Sequence, residues 1–283
     1  MSTLQGFTGQ AYQPQEDTYF DDGREVALLH FIYKHPKLSD MRGNPQRILE
    51  AIDEYGKTKK YLMNVGEHKS KIVVDLIKAV KPRTMVELGG YVGYSAIAFG
   101  AAFREAGGSR YYSLEYNPEF GAVISSLVDL AGLHDVVRVE IGPASASLRR
   151  LHAEGTLKNI DFMFLDHVKP LYTPDLKLCE ELGLVGLGSV LAADNVVKPG
   201  NPPYLEYVRS TVEQKRATFQ KNAELSFNKP KSNGYKTGNG DQLDESEVHG
   251  NPNLIYVSSF VEGWEPSGVP DAIEVTRCTG LQG

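Results

Sequence analysis

Asp166-His167-Val168-Lys169 and Asp194-Asn195 carry the densest chemistry in this 283-residue chain. Each group directly follows a short apolar run, Ile160–Leu165 and Val190–Ala193, so both fall in loops at strand ends. Asp166, Asp194 and Asn195 offer three hard oxygen donors. That set suits Mg2+, which keeps positions open for water or substrate oxygens. Lys169, three residues past Asp166, is a candidate base, because a partly desolvated lysine near a divalent cation has its pKa lowered. Each residue also has a plainer use: an Asp as a helix cap, the lysine as a solvated loop charge. His167 is open between a base, a ligand and a packing residue.

Two segments upstream suit a second ligand. Val86-Glu87-Leu88-Gly89-Gly90-Tyr91-Val92-Gly93-Tyr94-Ser95 falls at a strand-to-helix junction, where glycine lets the backbone approach a ligand at the helix N-terminus. The spacing is G-G-x-x-G, not the G-x-G-x-x-G of dinucleotide binders. Glu87, an acid at the strand end, suits an amino group better than a pyrophosphate. A tight turn with no ligand stays open. In Leu114-Glu115-Tyr116-Asn117-Pro118 the carboxylate of Glu115 can accept from both hydroxyls of a ribose. Alone it would read equally as a helix N-terminal charge; with the glycine turn ahead of it, the ribose reading is the better one.

The elements that position these groups follow from periodicity. Apolar runs at Met85–Leu88, Tyr111–Leu114, Val136–Ile141, Ile160–Leu165 and Val190–Ala193 alternate with helical stretches at about 94–104, 118–130, 144–152 and 174–182. That alternation predicts βαβ units and a doubly wound, mostly parallel α/β sheet with helices on both faces. Further strands are expected at Leu254–Phe260 and Ala272–Thr276, one of them antiparallel. Helices are expected over Glu25–Tyr33, from Pro45, and from about Gly66 to the stop at Pro82. Residues 1–44 read as an N-terminal extension and 45–283 as the main domain. A polar surface insertion interrupts it at about 215–253, with its most polar part from Asn228 to Asn253.

Composition narrows the class. The chain is 41% hydrophobic and 23% charged with formal net charge −6, values of an ordinary globular protein. The acidic balance and scattered basic residues disfavour a nucleic-acid partner. Cys179 and Cys278 do not form a C-x-x-C, so neither a disulfide framework nor structural zinc is expected. No window reaches the roughly 18 apolar residues of a membrane span, and no signal peptide is evident, so a cytoplasmic, membrane-free protein is the expectation.

Together these residues resemble the catechol O-methyltransferase family. The resemblance runs from about Pro45 to Thr276 and adds Met63-Asn64-Val65-Gly66 and Leu191–Pro199 to the motifs above. It implies a seven-stranded Rossmann-like methyltransferase fold, S-adenosylmethionine, Mg2+ and in-line methyl transfer to a catechol by an enzyme expected to be a monomer. Carried over by position, Val65, Glu87, Gly89, Tyr91 and Ser95 would hold the methionine end of the donor. Glu115 would take the ribose, and His167 would lie beside the nucleoside next to Asp166. Asp166, Asp194 and Asn195 would bind the metal, Lys169 would be the base, and Glu262 would bond the second hydroxyl. Ala144 and Ser145 fall where the family has a serine and a glutamine flanking the adenine. Tyr61, Met63, Val168 and Pro199 would wall the phenol pocket; Val168 replaces a family aromatic, so a bulkier phenol fits. The rival readings are a same-fold enzyme for another phenolic acceptor, such as a hydroxycinnamoyl ester, and an inactive donor-binding protein. A nicotinamide-dependent dehydrogenase is third.

Overall fold

The structure, a computed structural model, describes residues 6–16, 22–226, 235–236, 242–243 and 248–283. The elements run α1 (Arg24–Tyr33), α2 (Leu38–Met41), α3 (Pro45–Thr58), α4 (Gly66–Val80), β1 (Thr84–Leu88), α5 (Tyr94–Glu105), β2 (Arg110–Glu115), α6 (Pro118–Leu130), β3 (Val137–Ile141), α7 (Ala144–Ala153), β4 (Phe162–Leu165), α8 (Tyr172–Glu181), β5 (Val190–Ala193), α9 (Pro202–Arg209), α10 (Val212–Ser226), β6 (Leu254–Trp264) and β7 (Pro270–Leu281). Asn-Pro starts three of the helices. Asn44, Asn117 and Asn201 each cap a backbone N–H with the side-chain oxygen, and the proline that follows takes the first helical turn. Helix α4 stops at Lys81, whose φ is 53°, just before Pro82.

The sheet has the order β3-β2-β1-β4-β5-β7-β6. The first five strands are parallel, and β7 is antiparallel to both β5 and β6. It is seven-stranded, mostly parallel and doubly wound, as expected. Alternation along each strand splits the core into two layers. Met85, Phe162, Phe164, Val190 and Ala192 pack under α3 to α6, while Val86, Leu88, Met163, Leu165, Leu191 and Ala193 face α7 to α9.

Register brings the candidate residues together. Leu88 stands opposite both Leu114 and Leu165, and Leu165 opposite Ala193, so four carboxyl ends finish level. Glu115, Asp166 and Asp194 therefore lie along one edge of the sheet, on either side of the central strand, where open α/β sheets bind ligands.

Two boundaries differ from the sequence reading. The expected insertion at 215–253 begins with helix, since α10 runs to Ser226; its later part lies mostly outside the described residues, apart from a short antiparallel pair, Tyr235–Lys236 with Gln242–Leu243. The N-terminal extension is not a separate appendage. Tyr12, Leu28, Ile32 and Met41 are buried in the same core layer as α3 and α5.

Candidate active site

The glycine turn after β1 is built for close approach on one side. Gly89 has φ 88°, and a Cβ there would come within 2.5 Å of the Asp166 carbonyl oxygen and 3.0 Å of the His167 Cα. Only glycine lets the β1 turn lie directly on the β4 loop. Tyr91 follows at φ 49°, a strained value for a tyrosine, and its hydroxyl donates to Glu25 on α1 at 2.8 Å. Helix α1 thus pins the turn from above, with Arg24 beside Glu25 donating to the Tyr61 carbonyl at 2.8 Å.

Glu87 and Glu115 take different positions around this turn. Glu115 accepts from the N–H groups of Gly90 (3.1 Å), Tyr91 (2.9 Å) and Asn117 (2.8 Å). Burial still raises its pKa against those donors. Glu87 lies beneath the turn, fully buried, with the hydroxyls of Tyr111 and Ser113 donating to it at 2.6 Å each. Ser95 bonds the same carboxylate, and burial pushes its pKa up to about 7. Glu87 and Ser95 are thus tied to each other beneath the turn. Val65 is buried at the start of α4, and Ala144 and Ser145 are half-buried at the start of α7.

The second half of the site is a knot of charge at the ends of β4 and β5. Lys169 Nζ donates to Asn195 Oδ1 (2.7 Å), Asp166 Oδ1 (3.1 Å) and Tyr172 Oη (2.7 Å). Asn195 has φ 58°, so the loop holds this amide in a conformation few residues other than glycine adopt freely. Asp194 is buried and accepts from the Asn195 N–H at 2.8 Å through Oδ1. Its Oδ2 is buried and has no hydrogen-bond partner among the described residues. Burial raises the pKa of both Asp166 and Asp194, against the pull of Lys169 on one and Lys69 on the other. His167 stacks on Tyr172, ring centroids 4.9 Å apart, and its Nε2 lies 2.9 Å from Asp175 Oδ2; its Nδ1 is buried without a partner among the described residues.

The structure also brings in residues that the sequence reading did not name. Lys69, fully buried on α4, reaches Asp194 Oδ1 (2.7 Å), Glu265 Oε1 (2.7 Å) and Asp271 Oδ2 (2.8 Å). Asn195 Nδ2 donates to Glu265 (2.6 Å) and Asp271 (3.1 Å), and Asp271 accepts the N–H groups of Val197 and Lys198 at 3.0 Å. A signal for Lys69 existed: with Val73 and Ile77 it lies at four-residue spacing on the apolar stripe of its helix, where a lysine needs a buried partner. Glu262 is not brought to this cluster. It is exposed on β6, opposite Ala272, and the carboxylate that enters is Glu265, just past the strand end. Around the cluster, Tyr61 is buried and Met63 half-buried, while Val168 is 60% exposed and Pro199 exposed.

These two halves, a glycine-rich turn and an oxygen-rich cluster with a lysine, meet at the contact of Gly89 with Asp166. The chain belongs to the O-methyltransferase family, which it matches over residues 42–228. Within that family it is 38% identical over 199 residues to catechol O-methyltransferase of Mus musculus, covering 70% of this chain and 73% of the relative. It is 35% identical to catechol O-methyltransferase of Bos taurus, covering 76% of each. A probable O-methyltransferase of Mycobacterium tuberculosis is 32% identical, over 73% of this chain and 87% of the relative. The fold is also that of a solved Bacillus cereus O-methyltransferase in complex with SAH, at TM-score 0.52 and 18% identity, covering 88% of this chain and 99% of that one.

Proposed function

We propose that this chain transfers the methyl group of S-adenosylmethionine to one hydroxyl of a catechol or similar vicinal diphenol, with Mg2+ at Asp166, Asp194 and Asn195 and with Lys169 as the base. The observation that carries this reading is the Lys169 cluster. One ammonium lies within 3.1 Å of Asp166 Oδ1 and 2.7 Å of Asn195 Oδ1, a cation already seated between two of the three proposed ligands. The orphaned Asp194 Oδ2 is a third oxygen wanting a positive partner.

Charge supports the fit. Counted as fully ionised, four carboxylates (Asp166, Asp194, Glu265, Asp271) face two lysines (Lys69, Lys169), an excess of two negative charges; burial raises the pKa of Asp166, Asp194 and Glu265, and a divalent ion would favour their ionised forms. Among the described residues no three His, Cys, Asp or Glu side chains are gathered as a ready metal site; the third oxygen here comes from an amide, and the lysines close the cluster. When bound, the ion supplies a positive charge that lowers the pKa of a chelated hydroxyl. On the donor side, the left-handed turn at Gly89–Tyr91, Glu115 and the unpartnered Nδ1 of His167 suit a nucleoside with an amino-acid tail.

The chain's own residues then divide the work. With the ion bound, Lys169 would work as the neutral amine, its ammonium proton having passed to solvent; Nζ then takes the proton of the attacking hydroxyl, and Tyr172 with its stacked His167 holds that amine in place. Glu265, turned into the cluster by Lys69 and Asn195, is set to accept the other hydroxyl. The phenolate oxygen attacks the methyl carbon; the O–C bond forms as the S–C bond breaks, and its electron pair stays on sulfur. The turn and cluster supply the gain from positioning, because the Gly89–Asp166 contact fixes one against the other. The working unit is proposed to be a monomer in a reducing cytoplasm acting on a small-molecule phenol. No helix among the described residues is long and apolar enough to cross a membrane.

A second reading keeps the chemistry and changes the acceptor. Val168 is 60% exposed and Val197 49% exposed beside the cluster, an open apolar rim that suits a larger phenol such as a hydroxycinnamoyl ester. A panel of catechol, monophenols and hydroxycinnamoyl esters, incubated with methyl-labelled donor and Mg2+, separates the two. Label on simple catechols supports the first reading, label confined to the esters the second, and no label on any vicinal diphenol sinks both.

A further inference from the structure

The proposed proton and methyl transfer gives Lys69 no part, yet it is among the most completely enclosed charges in the site. Its side chain is fully buried, and three carboxylate oxygens from three different segments surround Nζ at 2.7, 2.7 and 2.8 Å. A buried ammonium is costly to desolvate, so such an arrangement persists only where it is fully paired. Seen from the carboxylates, Asp194 after β5, Glu265 in the hairpin turn and Asp271 at the start of β7 converge on one ammonium; with Lys69 in place they are not gathered as a ready metal site. Their oxygen donors are of the kind that bind divalent ions. Asp194 faces both ways. Its Oδ1 is held by Lys69, and its buried Oδ2 has no hydrogen-bond partner among the described residues.

We propose that Lys69 is a built-in cation that fills what would otherwise be a second divalent-metal position, and so keeps the acidic cluster a one-metal site with Asp194 Oδ2 turned toward the metal. The inference rests on the metal reading above. It makes Lys69 a positioning residue whose charge does for Glu265 and Asp271 what a second ion would do. Counted as fully ionised, removing that charge raises the excess from two negative charges to three and opens a three-carboxylate pocket. Restoring the balance by neutralising Asp271 removes both the excess charge and one of the three oxygens.

The test counts bound Mn2+, followed by its electron paramagnetic resonance, on chelator-stripped full-length protein. Wild type is expected to bind one ion per chain, Lys69→Ala two, and Lys69→Ala/Asp271→Asn one again. If Lys69→Ala does not fold alone, its melting temperature is followed as Mn2+ is added: recovery toward wild type with two ions bound supports the proposal, and no recovery overturns it. One ion in both wild type and Lys69→Ala, with affinities within twofold, overturns the role of Lys69 while leaving the metal reading intact. No ion in wild type defeats the metal reading itself, and the Lys69 inference with it.

Discussion

Glu87→Gln isolates a buried carboxylate whose cost depends on pH. Glu87 is fully buried under the glycine turn, and burial outweighs three hydroxyl donors to raise its pKa from 4.5 to about 7. The folded state therefore holds the Glu87 proton more tightly than the unfolded chain does. Its contribution is most favourable below pH 4.5, declines as pH rises from 4.5 to about 7, and has no further slope above that. At about 1.4 kcal/mol per pKa unit, the full swing is about 3 kcal/mol. Glutamine has nearly the same shape and no proton to lose; one of the Tyr111 and Ser113 hydroxyls can still donate to its amide oxygen, and the other can turn to accept from its NH2. Urea unfolding of wild type and Glu87→Gln between pH 4.5 and 8 reads the difference, in which titrating groups common to both largely cancel. The variant should gain on wild type by about 3 kcal/mol across that window. A gap that stays flat from pH 4.5 to 8, or that closes as pH rises, refutes the argument that burial dominates at Glu87.

Other expectations follow from the same geometry. Gly89→Ala should cost about 1–2 kcal/mol for the left-handed backbone plus about 1–3 kcal/mol for pushing the Asp166 carbonyl away, against only the first part for Gly183→Ala, where the Cβ meets open space; equal melting temperatures would count against it. Lys169→Ala should lower catechol turnover by about 10²–10⁴-fold while donor binding, read by calorimetry, stays nearly unchanged. Wild-type-like turnover in that variant removes lysine as the base. Glu265→Gln should depress transfer to catechol, whereas Glu262→Gln, at an exposed strand position, should leave turnover and stability alone, within about 0.5 kcal/mol. The reverse pattern would return the role to Glu262.

Much of this arrangement was legible in the residues, for identifiable physical reasons. The parallel strands are continuous apolar runs because both faces are covered. Three of the four Asn-Pro pairs, at Asn44, Asn117 and Asn201, start helices through a cap and a fixed φ, but the pair at Asn251 does not, and α9 after Asn201 is not among the helices the sequence reading expects. A carboxylate directly after such a run can only sit at a strand's end, so Asp166 and Asp194 were placed without knowing the fold. Glu262 was not, because the alternation in burial along the edge strand β6 slips by one residue at Ser259–Phe260 and an insertion precedes the strand. On a strand a shift of one residue turns a side chain to the other face, and the carboxylate that enters the cluster lies three residues on, beyond the strand. Helix α10 went unseen because it is polar, with no apolar stripe to betray a 3.6-residue period. The supporting roles of Glu87, Tyr172 and Asp271 depend on contacts between segments far apart in the chain, which spacing alone does not encode.

The central claim, metal-assisted methyl transfer to a vicinal diphenol, is tested most directly on chelator-stripped protein given catechol and methyl-labelled S-adenosylmethionine while Mg2+ is titrated back. No labelled monomethyl ether is expected without the ion, and a saturable rise is expected as it returns. Equal transfer before and after the addition of Mg2+ would contradict it.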